Sequence, residues 1–157
     1  MKKVIKGIIL AAATLVILIP TFVLAFQLAR TAPEVLLGER ELDPAFVTWS
    51  VTNRDGEDVI TSISEKRAEK KFNRAEKVKL TTLDEVRGLT FPRAYAGCAV
   101  SIFALDDGEL KENLSFEDFQ EKDIPLNEPV QVIVVVLWQV SEDVRVKAAY
   151  SFEVTPV

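Results

Sequence analysis

The chain reads as all-β, an antiparallel β-sandwich of jelly-roll or immunoglobulin-like type behind an N-terminal hydrophobic helix. Three observations predict this. Val130 to Val140 is a run rich in β-branched residues, far too short to cross a membrane as a helix. Val144 to Val154 alternates: Val144, Val146, Ala148, Tyr150, Phe152 and Val154 share one face, and Arg145, Lys147, Ala149, Ser151 and Glu153 the other. Ile8 to Phe26 carries no charge and follows Lys2, Lys3 and Lys6.

The N-terminal segment comes first. As a helix, Ile8 to Phe26 reaches about 28 Å, close to the hydrocarbon thickness of a bilayer. The lysines before it keep the N-terminus inside, which puts the following domain outside. Three fates are open. Val23-Leu24-Ala25 offers a signal-peptidase site with cleavage between Ala25 and Phe26, and Pro20 breaks the helix before it. The segment can instead stay as a single-span anchor. Lys6-Gly7 before Ile8 also resembles an archaeal-type prepilin site, where the basic stub is removed and the helix is kept. Residues 1–26 are therefore a signal peptide or membrane-spanning helix.

Residues 27–44 contain Pro33, Gly38 and Pro44 and read as a linker or donor segment, with a short strand over Glu34, Val35, Leu36 and Leu37. The β-sandwich domain follows over 45–157. Val47, Trp49 and Val51 alternate with Thr48, Ser50 and Thr52, and the Asp55-Gly56 turn returns the chain into a second strand from Asp58. Ser64 to Lys79 is strongly charged and predicts a short surface helix. Val78 to Leu83 is a candidate strand, and Asp84 to Gly97 reads as a loop anchored by Phe91 and Tyr95. Cys98 to Leu105 is a strand, closed by Asp106-Asp107-Gly108. Ser115 caps a helical turn whose inward side is Phe116 and Phe119. Val130–Val140 and Val144–Val154 then form the central hairpin, with Trp49, Trp138, Tyr150 and Phe152 in the core.

Composition excludes much chemistry. Histidine is absent and Cys98 is the single cysteine. No Ser-His-Asp or Cys-His site can be built, and zinc, copper and haem sites of the usual kinds lack their ligands. The six glycines form no phosphate loop. No catalytic, cofactor-binding or metal residue is assigned, and the chain is not expected to be an enzyme. The acidic turns Asp55–Asp58 and Asp106–Glu109 lack the spacing of a calcium loop. Removing Lys2, Lys3 and Lys6 from the 19 basic residues leaves 16 against 24 acidic ones. The outer part is thus acidic, unlike a nucleic-acid surface, and no small-molecule substrate is indicated. Asn and Gln number four each among many Lys, Arg and Glu, which points to a thermophilic source. Asn113-Leu114-Ser115 is an N-glycosylation sequon in an expected loop, with Asn113 as its acceptor.

From Gly97 onward the chain runs through the Cys98–Leu105 strand and Leu114-Ser115-Phe116-Glu117-Asp118-Phe119. It continues into Pro129-Val130-Gln131-Val132-Ile133-Val134 and closes on Tyr150-Ser151-Phe152-Glu153-Val154. This order resembles the C-terminal half of the TasA/camelysin family of secreted matrix proteins, which includes archaeal bundling-pilus subunits. The resemblance implies a jelly-roll subunit that polymerises by donating an N-terminal strand, for which Glu34–Leu37 is the candidate. The expectation is a non-enzymatic, cell-surface structural protein that self-associates into a filament or pilus by strand donation or helix packing. The alternative is a single-span anchored β-domain serving as a binding or accessory subunit of a membrane complex.

Overall fold

The computed structural model describes residues 32–53, 55, 57–61 and 65–156. They are mostly strand and pair almost wholly antiparallel. The hydrophobic segment expected as an N-terminal helix lies outside them.

A seven-stranded sheet dominates. Its strands are β3 (Phe46–Thr52), β4 (Asp58–Thr61), β5 (Val78–Leu80), β7 (Gly97–Ala104), β8 (Leu110–Ser115), β9 (Val130–Gln139) and β10 (Val144–Val154). The order is β4-β3-β10-β9-β7-β8, so the two strands with the strongest sequence signal are the central ones. β9 and β10 pair from Arg145↔Gln139 to Val154↔Val130. The other edge of β10 is shared. Residues 144–149 pair antiparallel with β3, and Phe152–Val154 pair with β5 in the sheet's single described parallel ladder.

A small second sheet holds β1 (Leu36–Leu37) between β2 (Arg40–Glu41) and β6 (Leu89–Thr90). Gly38, at φ 62°, makes the tight β1–β2 turn in a region costly for other residues. Three helices complete the described chain: α1 (Glu65–Arg74), α2 (Leu83–Arg87) and α3 (Phe116–Glu121).

The core lies against one face of the large sheet. Val130, Val132, Val134, Val136 and Trp138 of β9 are at most 1% exposed, as are Val146, Ala148, Phe152 and Val154 of β10. Each such aliphatic side chain contributes roughly 1.5–3 kcal/mol by leaving water. Above them sit Val35, Leu42, Leu83, Val86, Leu89, Phe116 and Phe119, in one continuous cluster. Residues 32–44, expected as a linker or donor segment, thus supply Val35 and Leu42 to the domain's own core.

Two local expectations need correction. Asp84–Gly97 was expected to be a loop, yet its start belongs to α2 and its next part to β6. The signal is a capping box: Thr82 Oγ1 accepts from the Glu85 backbone N–H at 3.4 Å, and Glu85 Oε1 accepts from Thr82 N–H at 3.1 Å. The Thr81 and Thr82 donors, with the Thr81 backbone N–H foremost, hold the Glu85 carboxyl below its ordinary range. Asn113-Leu114-Ser115, expected in a loop, instead belong to edge strand β8. A register shift between Ile102 and Phe103 blurs the alternation that would have revealed it.

Arg87 ties α2 to α3. Its Nε donates to Phe119 O at 3.1 Å, its guanidinium also reaches Lys122 O and Asp84, and it lies 5.3 Å from the Phe119 ring centroid. Arg87→Ala leaves the carbonyls of residues 119 and 122 without these donors. It is expected to lower stability by about 1–3 kcal/mol, read from the denaturant midpoint at unchanged slope.

Candidate interaction surface

The second face of the large sheet has a different character. Strand register places Ala99, Ser101 and Phe103 of β7 beside Val135, Ile133 and Gln131 of β9. Ala149, Ser151 and Glu153 of β10 continue these rows, and Phe46 of β3 lies next to Ala149. Ile133, Val135, Leu137, Phe103 and Phe46 are half-buried, and none belongs to the main core. Leu110, opposite Phe103 on β8, is 52% exposed. The strip is apolar and small along its middle, with Arg145, Lys147 and Asn113 at its margins.

Part of this strip is covered from within. Phe72 of α1 meets Phe46 edge-on, with ring centroids 6.1 Å apart. Gln131 Nε2 donates to Ser151 Oγ at 3.0 Å, which satisfies a hydroxyl only 5% exposed. At the outer strands, β8 and β4 each have one neighbour in the described sheet, as does β5. Such backbone edges are available to another strand.

The expected donor segment is occupied. Leu36 pairs with Glu41 on one side and Thr90 on the other, Leu37 pairs with Arg40 and Leu89, and Val35 is fully buried. Donating residues 34–37 to a neighbour would require both ladders to break. Leu36→Pro removes a strand N–H from the middle of this sheet. We expect it to destabilise the isolated domain by on the order of 2 kcal/mol. Unchanged thermal unfolding together with lost self-association would instead restore the donor role.

The acidic turns use their carboxylates to hold turns. Asn53 Oδ1 accepts from the Asp55 and Glu57 backbone N–H groups, and Asn53 Nδ2 donates to Glu57. Asp107 Oδ1 accepts from Glu109 N–H at 2.8 Å beside Gly108, whose φ is 73°. Among the described residues, no three His, Cys, Asp or Glu side chains converge as metal ligands. Among the described residues, two clefts are shallow. One of about 440 Å³ lies between Asp43–Ala45 and the α1 end at Lys71 and Arg74. The other, of about 90 Å³, lies beside the Lys111–Glu128 ion pair. Neither has the apolar enclosure of a usual ligand pocket.

Cys98 is a core residue. Burial, reinforced by the Glu117 charge, pushes its thiol up to about 12. The thiolate is the nucleophile, so this thiol is poorly reactive. Tyr95 donates its hydroxyl to Glu117 Oε1 at 2.7 Å. That bond raises the tyrosine to about 12 and holds Glu117 below its ordinary range.

Asn113 is exposed on β8, where its Oδ1 accepts from Ser101 Oγ at 3.0 Å. The cleavage candidates Gly7, Ile8, Ala25 and Phe26 lie outside the described residues. No family model, curated protein or solved structure matches the chain.

Proposed function

We propose that this is a non-enzymatic structural domain held outside a membrane by residues 8–26, and that it self-associates at the cell surface as a filament subunit. The observation that carries the reading is the pairing of that uncharged N-terminal run, set behind three lysines, with a sheet that keeps an apolar second face. Of the two modes of assembly, helix packing is favoured over donation of residues 34–37, because those residues are already paired on both sides within their own chain. A retained helix places an apolar rod beside a sheet face that can pack with one. A second layer on that face would complete the sandwich.

The mature N-terminus tests this. Protein purified from its source is expected to begin at Ile8 and to appear as filaments by negative stain. A start at Phe26 would favour a secreted form. An intact Met1 without polymer would favour the single-span accessory subunit, a reading supported by a run as long as a bilayer is thick.

A further inference from the structure

We infer that Asn113 is the acceptor of an N-linked glycan, placed on the outer edge of the large sheet. The inference rests on the proposed exterior location, because glycan transfer to a sequon takes place on the export side of a membrane. The sequon alone is a common pattern; its placement adds the argument. Leu114 turns inward against the core, so strand alternation directs Asn113 and Ser115 outward together. The Asn113 amide is fixed by its oxygen, which accepts from Ser101. Among the described residues Nδ2 has no hydrogen-bond partner, so the nitrogen that would carry the sugar is the end of the amide turned away from Ser101. β7 lies on one side of β8, and no described strand pairs with the other. A branched sugar therefore fits there without displacing a strand.

The chemistry needs one co-reactant, a polyprenyl-phosphate- or diphosphate-linked oligosaccharide. Asn113 Nδ2 forms a bond to the anomeric carbon. The bond from that carbon to the phosphate oxygen breaks, and its electron pair leaves with the lipid phosphate. One Nδ2 proton passes to a base of the membrane transferase. The sequon hydroxyl must be free for the transferase to bind it. In the folded domain Ser115 Oγ accepts from the Asp118 backbone N–H at 3.0 Å and donates to Asp118 Oδ2 at 2.8 Å. Transfer therefore precedes the capping of α3. Once the domain has folded, the glycan stands beside β8 and shields exposed Leu110 from strand-on-strand pairing.

The test uses protein purified from its source cells. Trypsin cutting after Lys111 and Lys122 releases Glu112–Lys122, whose only asparagine is Asn113. Tandem mass spectrometry is expected to find this peptide with a glycan mass on Asn113. That mass should be lost in Asn113→Gln and retained in Ser115→Thr, which keeps both the sequon and a capping hydroxyl. Protease treatment of intact cells is run beside it. A bare peptide from a domain that surface protease releases would overturn the glycan and leave the exterior location standing. A bare peptide from a domain protected inside the cell would overturn both.

Discussion

Trp138→Ala is expected to cost about 3–5 kcal/mol, the largest loss from any single substitution proposed for this domain. Trp138 is fully buried in central strand β9, opposite Val146, with Trp49 beyond it on β3. β10 pairs along one side of Trp138, which limits how far its surroundings can close on the space. Trp138→Phe is expected to cost far less, about 1.5 kcal/mol or under. The Trp138 Nε1–H is buried and has no acceptor among the described residues. An unpaired buried donor carries a penalty of about 1–3 kcal/mol, and phenylalanine removes it while keeping most of the ring. Denaturant titration followed by the fluorescence of Trp49, the other tryptophan, reads both variants. A phenylalanine variant as unstable as the alanine one would mean that Nε1 is satisfied in solution.

The domain is expected to lose stability in alkali from near pH 9. Cys98 and Tyr95 are both raised to about 12, and burial chiefly raises Tyr150 as well. In each case the folded state favours the protonated form more than the unfolded chain does. Between the ordinary value and the folded value, the native state binds more protons, so stability falls as pH rises. The loss begins near pH 9 with Cys98, continues from about 10 with the tyrosines, and runs to about 12. Below that window the stabilisation is fully present. With no histidine, the curve between about pH 6 and 8 should be nearly flat. At the acid end, Glu85 and Glu117 have lowered values, so their contribution is present above the ordinary carboxylate range and is lost as pH falls through the folded values. Urea midpoints from pH 4 to 12 measure the profile. Cys98→Ala should flatten its 9-to-10 portion, and a midpoint in the wild type unchanged up to pH 11 would contradict the assignment.

What the sequence made legible depended on how strictly each segment obeyed a single period. β10 alternates in sequence along its whole length, and its predicted inner face lies in the core from Val146 to Val154, with Val144 half-buried outside it. Trp138, Tyr150 and Phe152 are core residues as expected, while Trp49 is half-buried against the core. α3 was legible because Ser115 and the Phe116–Phe119 spacing agree. α2 was missed although Thr82 and Glu85 stand three apart, because Gly88 and Pro92 drew the whole stretch towards a loop. The short strand expected over Glu34–Leu37 is present as β1 at Leu36–Leu37, whereas β2 and β6, at two residues each, are too short to show any period. Burial of Val35 comes from long-range contacts that local pattern cannot carry. The second sheet face was half-legible: Ala149 and Ser151 read as an outward face, yet both are buried by neighbours on other strands.

The position of β10 has a consequence for timing. β10 is synthesised after β3, β5 and β9, yet all three depend on it for pairing. Until the ribosome has finished residue 154, the first half of the sheet has no centre to join, and contacts far apart in sequence dominate the fold. β3 and β5 therefore stay without that partner until then. For the export proposed above, this order of strands alone keeps the two halves of the sheet from joining until residue 154 has been made.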